Sequence, residues 1–74
     1  MDLQIQFGKR VRELRTAKGL SQEGLALKAE LDRTYMTGIE NGKRNVSIQN
    51  IHKVIKALEV SIPEFFNSKV FTTK

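Results

Sequence analysis

Arg33, Thr34, Tyr35 and Thr37 bring a guanidinium, two hydroxyls and a phenol together within a short stretch of chain. That set could read nucleic-acid bases. An arginine near the start of a helix can donate two hydrogen bonds to guanine O6 and N7, and threonine offers a base edge its hydroxyl and a thymine methyl its own methyl. On an ordinary surface helix the same residues are merely solvated, so their meaning depends on what presents them. Other chemistries find little support. His52 is the single histidine and no carboxylate or nucleophile is arranged around it by spacing. Glu59 and Glu64 read as solvated and capping residues rather than as an acid/base pair. Cysteine is absent, which removes disulfides and the usual zinc spacings, and no glycine-rich phosphate loop occurs. The chain therefore reads as no enzyme, with no cofactor and no metal.

The elements that would position Arg33 are marked by punctuation. Leu3, Phe7, Val11 and Leu14 recur at helical spacing and form one stripe, closed by the basic turn Ala17-Lys18 and by Gly19. After it a pattern occurs four times: Leu20-Ser21 with Leu25, Leu31-Asp32 with Met36, Val46-Ser47 with Ile51, and Val60-Ser61 with Phe65. In each, the Ser or Asp oxygen can accept from a free amide of the first helical turn. The flanking apolar pair forms the staple that fixes how the chain enters the helix. Asn41-Gly42 ends the third helix. The fourth is expected to bury Ile48, Ile51, Ile55 and Leu58. The fifth opens on a capping box, Ser61 with Glu64. Five short helices without a strand candidate define an all-α fold.

Between the second and third helices the link is very short. So tight a connection forces a steep crossing, the helix-turn-helix arrangement, and Ala26 and Ala29 supply the small residues a close crossing needs. With Leu25, Leu31, Met36 and Ile39 turned inward, Arg33, Thr34, Thr37, Gly38 and part of Tyr35 face out. Gly38 would clear space for a close approach to a groove.

The whole chain has 74 residues, enough for one domain, expected over 1–68 with a tail over 69–74. Thirteen Lys and Arg against eight Asp and Glu give a net charge of +5, which favours a polyanionic partner. No apolar run approaches the roughly 20 residues of a membrane span. The charged N-terminus lacks a secretory core, and the missing cysteines fit a reducing cytoplasm.

Gly19-Leu20-Ser21-Gln22-Glu23-Gly24-Leu25-Ala26, followed by Leu31-Asp32-Arg33-Thr34-Tyr35-Met36-Thr37-Gly38-Ile39-Glu40-Asn41-Gly42, resembles the Cro and phage-repressor helix-turn-helix family. Asp32 to Tyr35, Gly38 to Glu40 and Arg44-Asn45 look most like controller proteins of restriction–modification systems. The resemblance implies a compact five-helix domain of the lambda-repressor type. It implies a homodimer on a two-fold operator in double-stranded DNA, acting on its own promoter and an endonuclease gene by activation and repression, with RNA polymerase as a further partner. Arg33 and Thr34 would touch base edges, with Tyr35 and Thr37 beside them on the reading face, against phosphates or sugars. Gln22, at the start of the second helix, would contact the DNA backbone and help orient the third helix, while Lys43, Arg44, Asn45 and Ser47 would hold a phosphate strand. Arg15 and Glu40 would form a structural ion pair. Two departures weaken the second helix: Glu30 stands where glycine is common, and Gly24 where a Glu would complete the capping box with Ser21.

The last helix and tail offer Ile62, Phe65, Phe66, Val70 and Phe71, more apolar surface than a capping helix needs. One or two phenylalanines would close the core. A dimer interface is expected at Ile62, Phe65 and Phe66. Two rivals keep the fold and change the role: an antitoxin-like or phage-type repressor binding a partner protein around Phe65 to Phe71, and a protein-interaction module without DNA binding. RNA binding would lack stacking aromatics beyond Tyr35.

Overall fold

In the computed structural model, residues 2–72 are described, and they fold as five α-helices in the predicted order. These are α1 (Leu3–Ala17), α2 (Gln22–Ala29), α3 (Arg33–Glu40), α4 (Ile48–Ala57) and α5 (Ile62–Phe66). Each begins where a side chain satisfies an open amide. Asp2 caps α1, Ser21 α2, Asp32 α3, Ser47 α4 and Ser61 α5. All four apolar pairs flanking the predicted caps lie in the core or packed against it. Glu30 takes the left-handed conformation at the end of α2, φ 59° and ψ 42°, at a cost of about 1–2 kcal/mol for a residue with a Cβ.

Phe7, Val11, Leu25, Ala26, Ala29, Met36, Ile39, Val54, Ile55, Ala57, Leu58 and Phe65 form one buried cluster. The two alanines of α2 let α3 and α4 approach, and Gly8 does the same for α1. A Cβ at Gly8 would stand 2.2 Å from the Ile39 carbonyl oxygen, so α1 and α3 touch backbone to side-chain-free backbone. Among the described residues no helix is long and apolar enough to cross a membrane.

Within the core the structure corrects the sequence expectation at Ile48 and Phe65. Ile48, expected inside, is 85% exposed. It lies roughly a quarter turn from the direction in which Val54 and Leu58 point inward, in a first turn that extends past the end of the core. Phe65, expected at a dimer interface, is fully buried against Phe7 at 5.2 Å and Phe66 at 4.9 Å between ring centroids. Being the inward member of the Val60 pair, it faces the core as Leu25 and Met36 do. The first residues of the expected tail pack on the domain. Lys69–Phe71 form a 3-10 turn whose Phe71 ring lies 5.0 Å from Phe66, and Gln6 donates to the Val70 carbonyl at 3.0 Å. Thr73 and Lys74, the end of that expected tail, lie outside the described residues.

Candidate nucleic-acid interface

Helix α3 is held from below by Met36 and Ile39, both buried, and from its end by Asp32. The Asp32 carboxylate accepts from the amides of Thr34 at 2.9 Å and Tyr35 at 3.4 Å. This cap and the tight link fix the first turn, so Arg33 and Thr34 stand exposed with free side chains on the outer face. Neither side chain is tied to another residue by a hydrogen bond or ion pair among the described residues.

Behind that face lies a charged network. The Glu40 side chain is sealed from solvent and takes Arg15 Nε at 2.6 Å and an Arg15 terminal nitrogen at 3.1 Å. Arg12 Nε approaches at 3.3 Å and Gln22 Nε2 donates at 3.0 Å. Arg15 also donates to the Leu20 carbonyl at 2.7 Å, which pins the turn between α1 and α2. Burial by itself would raise the Glu40 pKa. The hydrogen bonds from Arg15 and Gln22, the Arg15 charge and the Arg12 bond outweigh it and hold the carboxyl below its ordinary value.

This network claims two residues expected at the DNA. Thr37 Oγ1 donates to Gln22 Oε1 at 3.0 Å, while the other end of the same amide donates to Glu40. Gln22 therefore joins α2 to the middle of α3 from inside the domain, keeping one N–H to offer outward. Thr37 has spent its only proton on Gln22, so toward a phosphate it has no donor left. Through these bonds Gln22 helps to orient α3, as the resemblance implied, and Thr37 joins it in that role.

Tyr35 is half-buried, and its hydroxyl accepts from Asn50 Nδ2 at 3.1 Å, leaving the phenolic proton free to donate. The Arg44 guanidinium lies over its ring, 5.5 Å from the centroid. Lys43, Arg44, Asn45 and Ser47 are all exposed in the loop from α3 to α4, apart from the half-buried Val46 between them. Gly42, φ 71°, turns that loop, and the Lys43 amide donates to the Gly38 carbonyl at 2.9 Å. Gln4 on α1 donates to Asn45 Oδ1, which leaves the Asn45 amide N–H groups facing out. Ser47 accepts from the Asn50 amide at 3.1 Å and opens α4, whose first amides point to the same side and favour an anion. Asn50 and Gln4 are functional neighbours that sequence reasoning missed. Asn50 occupies the third position of α4, where a capping box would place Glu or Gln, and nothing in the sequence signals a bond to Tyr35.

Taken together, the surface offers two free, exposed hydrogen-bonding side chains at the start of α3. Beside them stand three cationic or amide donors on a braced loop and an open helix N-terminus. Such an arrangement suits a double helix, with the α3 start in a groove and the loop on a phosphate strand. His52 is exposed on α4 and belongs to none of it.

Of the residues expected at a dimer interface, Ile62 and Phe66 are exposed, 55% and 40%, one turn apart on α5. Phe66 borders a groove of about 400 Å³ lined with Leu3, Phe7, Val46 and Ile51. Leu3 is also exposed.

A helix-turn-helix family profile matches residues 11–65. The control protein C.MunI of a Mycoplasma species is 46% identical over 67 residues, 89% of this chain and 90% of that protein. C.BamHI of Bacillus amyloliquefaciens is 44% identical over 73 residues, 97% and 86% of the two chains. The crystal structure of the restriction–modification controller protein C.AhdI from Aeromonas hydrophila superposes with a TM-score of 0.83 at 53% identity, covering 89% of this chain and all of that one. The controller protein C.Esp1396I, solved as a tetramer in complex with its natural 35 base-pair operator, gives 0.84 at 41% identity over 89% and 87%.

Proposed function

The chain belongs to the helix-turn-helix family and, within it, to the controller proteins of restriction–modification systems, and from that premise we propose how it engages its operator. It is a DNA-binding transcriptional regulator and not an enzyme. In our reading, two copies bind a two-fold operator, each placing the start of α3 in the major groove. Arg33 and Thr34 read base edges, and Tyr35 donates to the adjoining phosphate or sugar. Lys43, Arg44, Asn45, Ser47 and the first amides of α4 hold the phosphate strand. Gln22 and Thr37 set the tilt of α3. The regulated promoters are its own and that of an endonuclease gene, repressed by occlusion and activated through contact of the bound protein with RNA polymerase. The observation that carries this reading is that Arg33 and Thr34 are free and exposed at the start of α3, while the polar neighbours behind them are tied down.

Two substitutions separate the roles. Arg33→Ala removes a bidentate base contact, which costs about 1–3 kcal/mol on the preferred site and relaxes the base choice there. Arg44→Ala removes a phosphate contact. It weakens specific and random DNA alike and lowers the salt slope by roughly 0.9 for each phosphate that is no longer neutralised. The measurement is a titration of the DNA upstream of its own gene at two salt concentrations, against a random competitor. Equal losses on both DNAs for Arg33→Ala would remove base reading from Arg33.

For the second copy we propose the apolar face of Ile62, Phe66 and Leu3. Its support is exposure without an occupant, together with the operator-bound tetramer seen for the C.Esp1396I relative. Ile62→Asp tests it cleanly, because an acid in the first turn of α5 suits the helix dipole. We expect a folded monomer by sedimentation and an operator affinity lower by roughly 10²-fold or more, from loss of the second attachment. A variant that stays dimeric would move the interface elsewhere.

A further inference from the structure

Gly38 sits in the interior of α3, where glycine is a poor choice because it loses the most backbone freedom on folding. Its backbone does not require glycine, since it is not among the residues with positive φ. What requires it is Arg44. A Cβ at position 38 would stand 2.7 Å from Arg44 Cγ, 3.1 Å from Nε and 3.4 Å from Cδ. The sequence suggested that this glycine clears space for DNA, but the space is filled from within the protein by the stem of an arginine. The same arginine lays its guanidinium over Tyr35, and Tyr35 is in turn held by Asn50.

We infer that Gly38 is a positioning residue for Arg44. It forms a slot in the reading helix that seats the arginine stem and fixes the guanidinium against Tyr35 before DNA arrives. The physical gain is pre-organisation. A free arginine loses much of its rotamer freedom when it is immobilised on a phosphate, whereas an arginine already seated has lost it in folding. The slot also couples the two halves of the surface, because α3 then carries both the base-reading groups and the seat of the phosphate-binding arm. Arg44 is exposed and has open solvent to turn into, so a methyl group in the slot displaces it at little expense to the fold. Position 38 therefore affects DNA binding without supporting the domain. This inference rests on the reading of Arg44 as a phosphate contact.

The test is a double-mutant cycle of Gly38→Ala and Arg44→Ala, read by binding to a random-sequence duplex and to the upstream duplex over a range of salt. Thermal unfolding is followed in parallel. We expect Gly38→Ala to unfold at an equal or higher temperature than the parent, since alanine is the better helix residue. Its DNA affinity should nonetheless fall about tenfold per protomer, the scale of one arginine's rotamer freedom, with the salt slope kept, because the same phosphate is still neutralised. In the Arg44→Ala background the second substitution should add almost nothing. Parent-like binding by Gly38→Ala while Arg44→Ala is weak would overturn the seat and leave Arg44 as a phosphate contact. Additive losses would overturn the coupling. Parent-like binding by Arg44→Ala would remove the premise, and the inference with it.

Discussion

Glu40→Gln is expected to lower the stability of the domain by about 3 kcal/mol, near the lower end of the roughly 3–5 kcal/mol seen when one partner of a buried ion pair is removed. The glutamine fits the space, so no cavity enters the account. What remains is an Arg15 side chain only 12% exposed with its charge uncompensated, and Gln22 facing an amide in place of a carboxylate. Arg12, half in solvent, loses little, which keeps the figure at the lower end. A chain of this length has roughly 4–11 kcal/mol in total, so the midpoint of thermal unfolding should fall by roughly 12–24 °C. The pH dependence gives a second reading. The folded-state pKa of Glu40 is held below its ordinary value, so its contribution is complete above the unfolded-state pKa and disappears as pH falls through the lowered one. Acid should therefore destabilise the parent more than the variant, and the gap between them should narrow below about pH 4.3. A gap that persists unchanged into acid would mean that packing, and not charge, makes Glu40 necessary. Because Gln22 joins Glu40 to Thr37, the variant should also bind DNA less well at temperatures where it remains folded.

How much of this the sequence revealed depended on the range of the chemistry involved. Ser21, Asp32, Ser47 and Ser61 were legible as caps because the bond from such a side chain to the next turn is local, and each apolar pair around them followed from the same geometry. Ile48 shows where periodicity fails. It tells which way a residue points, but not that α4 begins one turn before the core does. Phe65 was legible in principle, since the Val60 pair demands that it face inward. Counting it with the other apolar residues of α5 obscured that. Gln22 with Thr37, Tyr35 with Asn50 and Gln4 with Asn45 were beyond reach. Those bonds join residues 15, 15 and 41 positions apart, and polar pairs at such separations leave no spacing to read. The exposure of Arg33 and Thr34 was legible because it follows from their place at the start of a capped helix, a local property. The bonds that orient α3 are not local: the resemblance gave Gln22 a part in that orientation, but no spacing tied it to Thr37, which the resemblance placed against the DNA.

Phe65→Ala should be the most damaging single truncation in the C-terminal half, costing about 3–5 kcal/mol against the same roughly 4–11. Its ring is wholly enclosed, and it is the meeting point of the aromatic cluster, touching Phe7, Phe66 and Phe71. Helix α5 has five residues, far too few to persist without packing. Arg10 donates to the carbonyls of Phe65 at 2.6 Å and Glu64 at 2.9 Å, but those bonds depend on α5 lying where the Phe65 ring holds it. Once the ring is removed, the guanidinium loses two acceptors and the 3-10 turn at Lys69–Phe71 loses the aromatic surface it packs on. Phe66→Ala supplies the control. That ring is already 40% exposed, so its loss should cost the isolated domain about 1 kcal/mol while weakening self-association. The two variants should therefore separate in thermal unfolding followed over a range of protein concentrations, because a dimer's midpoint rises with concentration. Phe65→Ala should lower the midpoint at every concentration, and Phe66→Ala should chiefly flatten its dependence on concentration. The reverse assignment, with Phe65→Ala unfolding normally but failing to dimerise, would return Phe65 to the interface where its apolar neighbours first suggested it belonged.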